Sequence, residues 1–225
     1  MRLMTIFDRL HRQHGPQFWW PGDTPFEIMV GAILTQNTAW TNVEKAIANL
    51  KRENKLNAGV IAAIPLRSLA RLLKPAGYFN VKARRLKAFC HWFMQQGGYA
   101  GLVRHDTNAL RHSLLAVHGV GPETADDILL YAFSRPVFVI DAYTRRLFTR
   151  LGITNGTDGY ETLRTFFEKT LARELLRRRM EPTEIFNEYH ALIVAHAKYV
   201  CKKRPVCHAC GLRNRCPSRV DGSIS

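Results

Sequence analysis

Four cysteines near the C-terminus, Cys201, Cys207, Cys210 and Cys216, follow the spacing C-x5-C-x2-C-x5-C. Thiolates on short loops can converge on one metal centre, and the Cys-x2-Cys core lets two sulfurs bind from a single turn. The spacing suits an iron–sulfur cluster or zinc and does not choose between them. Disulfides would need an oxidising compartment, and the N-terminal MRLMTIFDRLHRQHG lacks the uninterrupted apolar core of a signal peptide. The expectation is therefore a metal centre in a cytoplasmic protein. Cys90 falls on an apolar helical stripe and is expected in the core rather than at a metal. His190 and His196 lie six residues apart, which is not the i, i+4 spacing of a zinc-binding pair on one helix face.

A second group of residues could meet a phosphate. The segment Leu114-Leu115-Ala116-Val117-His118-Gly119-Val120-Gly121-Pro122-Glu123-Thr124-Ala125 puts a Gly-x-Gly turn between two helical stripes. Glycines permit close approach, so amides of the turn and of the next helix start can face an anion. Eighteen residues beyond Glu123 stands Asp141, after the apolar run Val137-Phe138-Val139-Ile140 and before the basic helix start Tyr143-Thr144-Arg145-Arg146. An aspartate there suits an N-cap, and a carboxylate can also stabilise a developing cation.

Helical periodicity must position these groups. Thr24-Pro25-Phe26-Glu27 reads as a capped helix start, followed by an apolar face of Phe26, Met29, Val30, Ile33 and Leu34. Further stripes are Val43, Ala46, Ile47 and Leu50, then Leu86, Phe89, Cys90 and Phe93. The pattern repeats around 124–133, 142–151, 159–171 and 183–199. Residues 137–140 form the one candidate strand, too short and too alone to make a sheet. The fold expected is mainly α, with residues after Cys216 polar enough to fray. Lys and Arg number 33 against 18 Asp and Glu, a net charge of +15. That excess favours a nucleic-acid partner. No apolar run is long enough to span a bilayer, and no basic amphipathic helix or lipidation motif suggests a membrane surface. Arg177-Arg178-Arg179 reads as a solvated helix face.

Taken in order, Leu34-Thr35-Gln36-Asn37-Thr38, Gly77-Tyr78-Phe79-Asn80-Val81-Lys82-Ala83, the Gly-x-Gly hairpin, Ile140-Asp141 and the terminal cysteines resemble the helix-hairpin-helix DNA glycosylases of the endonuclease III superfamily. The resemblance covers nearly the whole chain. It implies two helical domains, 23–135 with the hairpin at about 110–133 and 1–22 plus 136–225, with double-stranded DNA in the cleft between them. It further implies a [4Fe-4S] cluster on the four cysteines, a flipped-out damaged base and a monomeric enzyme. One departure is the first cysteine loop, which has five residues, Lys202 to Val206, where the family usually has six.

The resemblance also assigns roles. Bifunctional members use a hairpin lysine that attacks the sugar and cleaves the strand through a Schiff base; the matching position here is Glu123, which cannot form an imine. Adenine-mismatch members carry a glutamate on the early helix that protonates the base; the matching position is Gly31. Asp141 remains as the carboxylate for an oxocarbenium-like centre and its attacking water. Such a site suits N-alkylated purines, which leave readily and whose positive charge aromatic rings attract by about 1–2 kcal/mol when desolvated. Trp19 and Trp20, Trp40 and the Gly-x-Glu-[Ser/Thr]-Ala-Asp hairpin look most like the 3-methyladenine glycosylase III branch, which lacks the cluster. In that branch aromatics at the positions of Trp19 and Trp40 sandwich the base, and Glu123 joins the pocket. Gln36, Asn37, Lys82, Gly119, Gly121, Thr124, Lys202, Lys203 and Arg204 are expected against DNA. The alternatives are the same fold acting on deaminated, mismatched or oxidised bases, and a non-catalytic lesion-binding protein.

Overall fold

The computed structural model describes residues 2–19 and 22–220, and every regular element among them is helical. Trp20 and residues 221–225 lie outside the described residues. The chain divides into two units, Met1–Trp19 with Pro136–Ser225, and Trp20–Arg135.

Helix α1 (Leu3–His14) buries Leu3, Met4, Ile6, Phe7 and Leu10, an apolar stripe at helical spacing. Helix α2 (Pro25–Leu34) opens the second unit as its sequence implies: the Thr24 hydroxyl accepts from the Glu27 N–H at 3.1 Å, with proline in the first turn. The expectation of one apolar face is corrected here, because every residue from Glu27 to Leu34 is buried. Neighbours surround α2, and Glu27, the charged exception, pairs with Lys51 at 2.7 Å. Helix α3 (Trp40–Arg52) buries the expected Val43, Ala46, Ile47 and Leu50. Short helices α4 (Ala58–Ala63) and α5 (Leu66–Leu72) pack on α6 (Phe79–Gln95), which buries Leu86, Phe89, Cys90 and Phe93. Cys90 is a core residue, as its stripe implies, and burial pushes its thiol up to about 12. After α7 (Gly98–Leu102), helices α8 (Thr107–Leu115) and α9 (Pro122–Asp127) form the hairpin. The stripe expected over 124–133 does not run as one α-helix: α9 gives way to a wider π-helical turn, Ile128–Ala132, whose five residues are all buried.

In the first unit, α10 (Ala142–Arg150), α11 (Tyr160–Arg178) and α12 (Pro182–Tyr199) join α1. Residues 137–140 belong to no regular element and are fully buried, and among the described residues they pair with no strand. Side chains take up their backbone donors instead, Phe138 N–H giving to Glu168 Oε1 at 3.1 Å and Ile140 N–H to Tyr160 Oη at 3.4 Å. An aromatic core surrounds them: Phe138 stacks on Phe167 at 4.7 Å, and Phe148 meets Phe167 edge-on at 4.6 Å. The Tyr189 hydroxyl donates to the Leu3 carbonyl at 2.7 Å, tying α12 to α1. Arg178 of the basic run pairs with Asp8 through two bonds of 2.9 Å, so that run is only partly a solvated face. Among the described residues no helix is long and apolar enough to cross a membrane.

Candidate active site and cysteine loop

In the second unit the hairpin is built around Gly119. Its φ of +87° lies where side chains are rarely found, and a Cβ there would sit 2.3 Å from Arg85 Cγ. The Gly119 carbonyl accepts from Gln36 Nε2 at 3.0 Å, and the same nitrogen donates to Thr124 Oγ1 at 2.9 Å. Gln36 Oε1 in turn accepts from Arg85. The structure thus brings Gln36, Gly119 and Thr124 together, as a brace between the end of α2 and the hairpin. Thr124 is buried, so its side chain serves this brace rather than an exposed DNA contact. Asp126 is fully buried and accepts from Arg111 at 2.6 and 3.1 Å, joining α9 to α8. Gly121, by contrast, caps α9 at a negative φ of −93°, and a Cβ added there would meet nothing within 4 Å. Glu123 and Asn37 are exposed, and Asn37 holds a left-handed φ of 54°.

Trp40 lies across α2 at Gly31. A Cβ at Gly31 would approach Trp40 Cη2 to 3.0 Å and Cζ3 to 3.4 Å. The glycine at position 31 is what admits the indole so close to α2.

Lys82 corrects an expectation. It is 1% exposed, and its ammonium donates to the Ala76 carbonyl at 2.7 Å, closing the turn that precedes α6. Burial, with Arg85 nearby, pulls its pKa down to about 8. A side chain so enclosed cannot serve as a surface phosphate contact.

Asp141 lies in the first unit as the N-cap of α10, its Oδ1 accepting from the Thr144 N–H at 2.6 Å. Its Oδ2 is 3.6 Å from His190 Nε2 on α12. Burial acts to raise the Asp141 pKa, but His190 and the Thr144 N–H outweigh it and hold the carboxyl below its ordinary value. Trp19 lies over the same histidine, ring centroids 5.8 Å apart and planes 30° from parallel. The sequence gives His190 no role beyond failing as a zinc ligand: 49 positions separate it from Asp141, and no local pattern joins them.

The cysteines of the first unit line one cavity together with Leu147 and Leu212. Arg146 Nη2 and Nε donate to the carbonyls of Ala197 and Cys201 at 3.0 and 3.1 Å. Arg150 donates to the carbonyls of Lys202 and Lys203 at 2.6 and 3.0 Å and lies 3.3 Å from Cys201 Sγ. The helix that Asp141 caps thus also grips the first cysteine loop, leaving the side chains of Lys202, Lys203 and Arg204 exposed. His196 faces away from His190, meeting His14 at 3.0 Å and Cys210 Sγ at 3.5 Å. Among the described residues no three His, Cys, Asp or Glu side chains converge as a single-ion site. Sulfurs that bind separate irons of a cluster do not need to meet at one point, and a partly apolar cavity lined by four cysteines, with His196 and the Arg150 guanidinium beside them, fits an anionic iron–sulfur group.

A helix-hairpin-helix fold with a carboxylate at a helix start defines a class of DNA-repair protein. The chain belongs to the HhH-GPD superfamily of base excision DNA repair proteins, whose family model matches residues 30–173. A Methanocaldococcus jannaschii protein with the provisional designation DNA repair glycosylase MJ1434 is 44% identical over 220 residues, 96% of each chain. Endonuclease III of Sulfolobus acidocaldarius is 27% identical over 87% of this chain and 83% of its own. The structure of H. pylori 3-methyladenine DNA glycosylase (MagIII) bound to 1,N6-ethenoadenine is similar at a TM-score of 0.79 and 30% identity, covering 88% of this chain and 98% of that one. A non-covalent endonuclease III–DNA complex shares the fold, with a TM-score of 0.76 and 23% identity over 96% and 94% of the two chains.

Proposed function

We propose that this chain is a monofunctional DNA glycosylase that hydrolyses the N-glycosidic bond of alkylated purines such as 3-methyladenine and 7-methylguanine in double-stranded DNA. The observation that carries the reading is Trp40 seated on Gly31, an aromatic surface in place of an acid. A neutral purine needs a proton to depart, whereas an N-alkylated purine already carries positive charge and is held by stacking and cation–π attraction. The 30% identical neighbour is named a 3-methyladenine glycosylase and holds a modified adenine, which supports the same substrate class here. In the first unit Trp19 offers an aromatic face beside His190.

In this mechanism the bond between the sugar C1′ and the base nitrogen breaks, and the base leaves with the electron pair. Asp141 stabilises the cationic sugar and takes the proton of the water that adds to C1′. Glu123 occupies the position of the lyase lysine and cannot form the imine that strand cleavage requires. Cys201, Cys207, Cys210 and Cys216 would hold a [4Fe-4S] cluster, which supplies a rigid anchor for the loop that presents Lys202, Lys203 and Arg204 to phosphates.

The test is base release from duplexes bearing 3-methyladenine or 7-methylguanine, beside uracil, hypoxanthine, thymine-glycol and mismatched-adenine duplexes, scored before and after alkali. Alkylpurine release with nicking only after alkali is the expected result. Release of another base instead would discard the alkylation pocket, nicking without alkali would discard the monofunctional reading, and no release from any duplex would favour a binding role alone.

The hairpin glycines separate folding from binding. Gly119→Ala meets Arg85 at a positive φ and is expected to cost roughly 1–3 kcal/mol of stability, the range for strained backbone positions. Gly121→Ala meets nothing within 4 Å and loses only glycine's advantage as a helix cap, so its melting shift should be much smaller than that of Gly119→Ala while DNA affinity falls, because the added methyl would occupy the space of an approaching phosphate. Equal melting shifts in the two variants would contradict this division.

A further inference from the structure

We propose that His190 is a positioning residue for Asp141, fixing the carboxylate from the side that the helix cap does not reach. The inference rests on the glycosylase reading above and deepens it.

A carboxylate held by one oxygen can turn about its Cβ–Cγ bond. At Asp141 the Thr144 N–H holds Oδ1 at 2.6 Å, a local contact that any N-cap aspartate makes. The second oxygen faces His190 Nε2 at 3.6 Å, on a helix 49 residues further along. A hydrogen bond to one oxygen and, from a different helix, an ion-pair contact at 3.6 Å to the other, too long for a hydrogen bond, together restrict the plane of the group, and a reacting carboxylate gains its effect from orientation. His190 is 4% exposed, and Trp19 covers it at 5.8 Å. The segment bearing Trp19 is itself tied to α12, since the Gln17 N–H donates to Glu188 Oε1 at 2.8 Å, two residues before His190. Trp19 therefore covers the histidine, while the Asp141 side chain keeps 13% exposure, open to the attacking water.

Asp141 is a carboxylate that His190 faces, and the charged groups on neighbouring elements are engaged elsewhere. On α10, Arg145 donates to the Asp158 carbonyl and Arg146 to those of Ala197 and Cys201. From α1, His14 meets His196 instead. On α12 itself, Glu188 is engaged by Gln17.

Two variants and a control test the assignment by single-turnover base release across pH. His190→Phe keeps a flat ring beneath Trp19 but removes the nitrogen facing Asp141. Its release rate at neutral pH is expected to fall by about 10²-fold, the scale of a catalytic group displaced by an ångström. The acid limb of its profile should move to higher pH, because burial then acts on the carboxyl with only the Thr144 contacts to oppose it. His190→Gln keeps an N–H donor without a titratable charge and should recover at least part of the rate, while its acid limb stays displaced. A His190→Phe protein with native circular dichroism and DNA affinity whose rate and acid limb match those of the unaltered chain overturns the proposal. If that variant does not fold, an unshifted limb in His190→Gln does so equally. Asp141→Asn is the control: undiminished release there would remove the glycosylase mechanism itself, whereas a dead Asp141→Asn beside an unaffected His190→Phe removes only the role of His190.

Discussion

Asp141→Asn is expected to lower base release by roughly 10³-fold, the upper range for loss of one preorganised electrostatic group, with DNA binding retained. The substitution isolates charge from structure. Asparagine caps helices about as well as aspartate, so its side-chain oxygen can still accept from the Thr144 N–H that Asp141 now holds at 2.6 Å. What disappears is the negative charge beside the sugar and the acceptor for the water's proton. The same carboxylate implies a pH dependence. Its folded-state pKa lies below the ordinary value, so its contribution to stability is present above the ordinary carboxyl range and is lost as pH falls through the lowered value. Base release should fade over that same acid range rather than near neutrality. Binding curves and single-turnover rates on one alkylated duplex decide the matter; comparable rates for both proteins would assign the chemistry to another residue.

The second large effect is expected at the cysteines. Cys210→Ser should yield a protein that has lost its iron and the yellow-brown colour of the unaltered chain, because oxygen replaces one thiolate of the set. The loop is held from two sides, by Arg146 and Arg150 on its carbonyls and by Gln13, which donates to the Ala209 carbonyl at 2.8 Å and accepts from the Gly211 N–H at 2.8 Å. Those contacts shape the loop but would not replace the four metal–sulfur bonds of the proposed cluster. A chain of this length loses about 2–4 °C in Tm for each kcal/mol, so removal of the cluster should appear as a shift of many degrees. DNA affinity should fall with it, as Lys202, Lys203 and Arg204 lose their common anchor. Iron analysis and melting of the native and Cys210→Ser proteins check both statements. A colourless native protein containing zinc would contradict the cluster.

Where chemistry is local in the chain, the sequence was readable. Thr24 and Pro25 start a helix because both act within one turn, and the Gly119 turn declares itself because few residues accept its backbone angle. The spacing of the four cysteines groups residues that line one cavity, and periodicity places Cys90 in the core. Residues whose meaning depends on distant partners were not readable. Lys82 stands in a basic stretch and looks exposed until the turn at Ala76 folds over its ammonium. Thr124 looks like a helix-start contact until Gln36, 88 residues away, claims its hydroxyl. His190 carries no local sign of the carboxylate it faces, and the grip of Arg150 on the cysteine loop spans 52 residues at Lys202. The buried run at 137–140 misleads in another way, since its donors are satisfied by two side chains of α11 rather than by a neighbouring strand.

The contact between Trp40 and Gly31 constrains how such a pocket could diversify. A glutamate introduced at position 31 would strike the indole at 3.0 Å before it could donate a proton, and a smaller residue at position 40 alone would open a void with no acid to fill it. Each single step is expected to be unfavourable on this geometry, and the pair together is expected to relieve the crowding. Passage between an aromatic, acid-free pocket and an acid-bearing one therefore crosses a fitness valley two substitutions wide, and a library that samples positions 31 and 40 jointly should reach variants that sequential selection would discard.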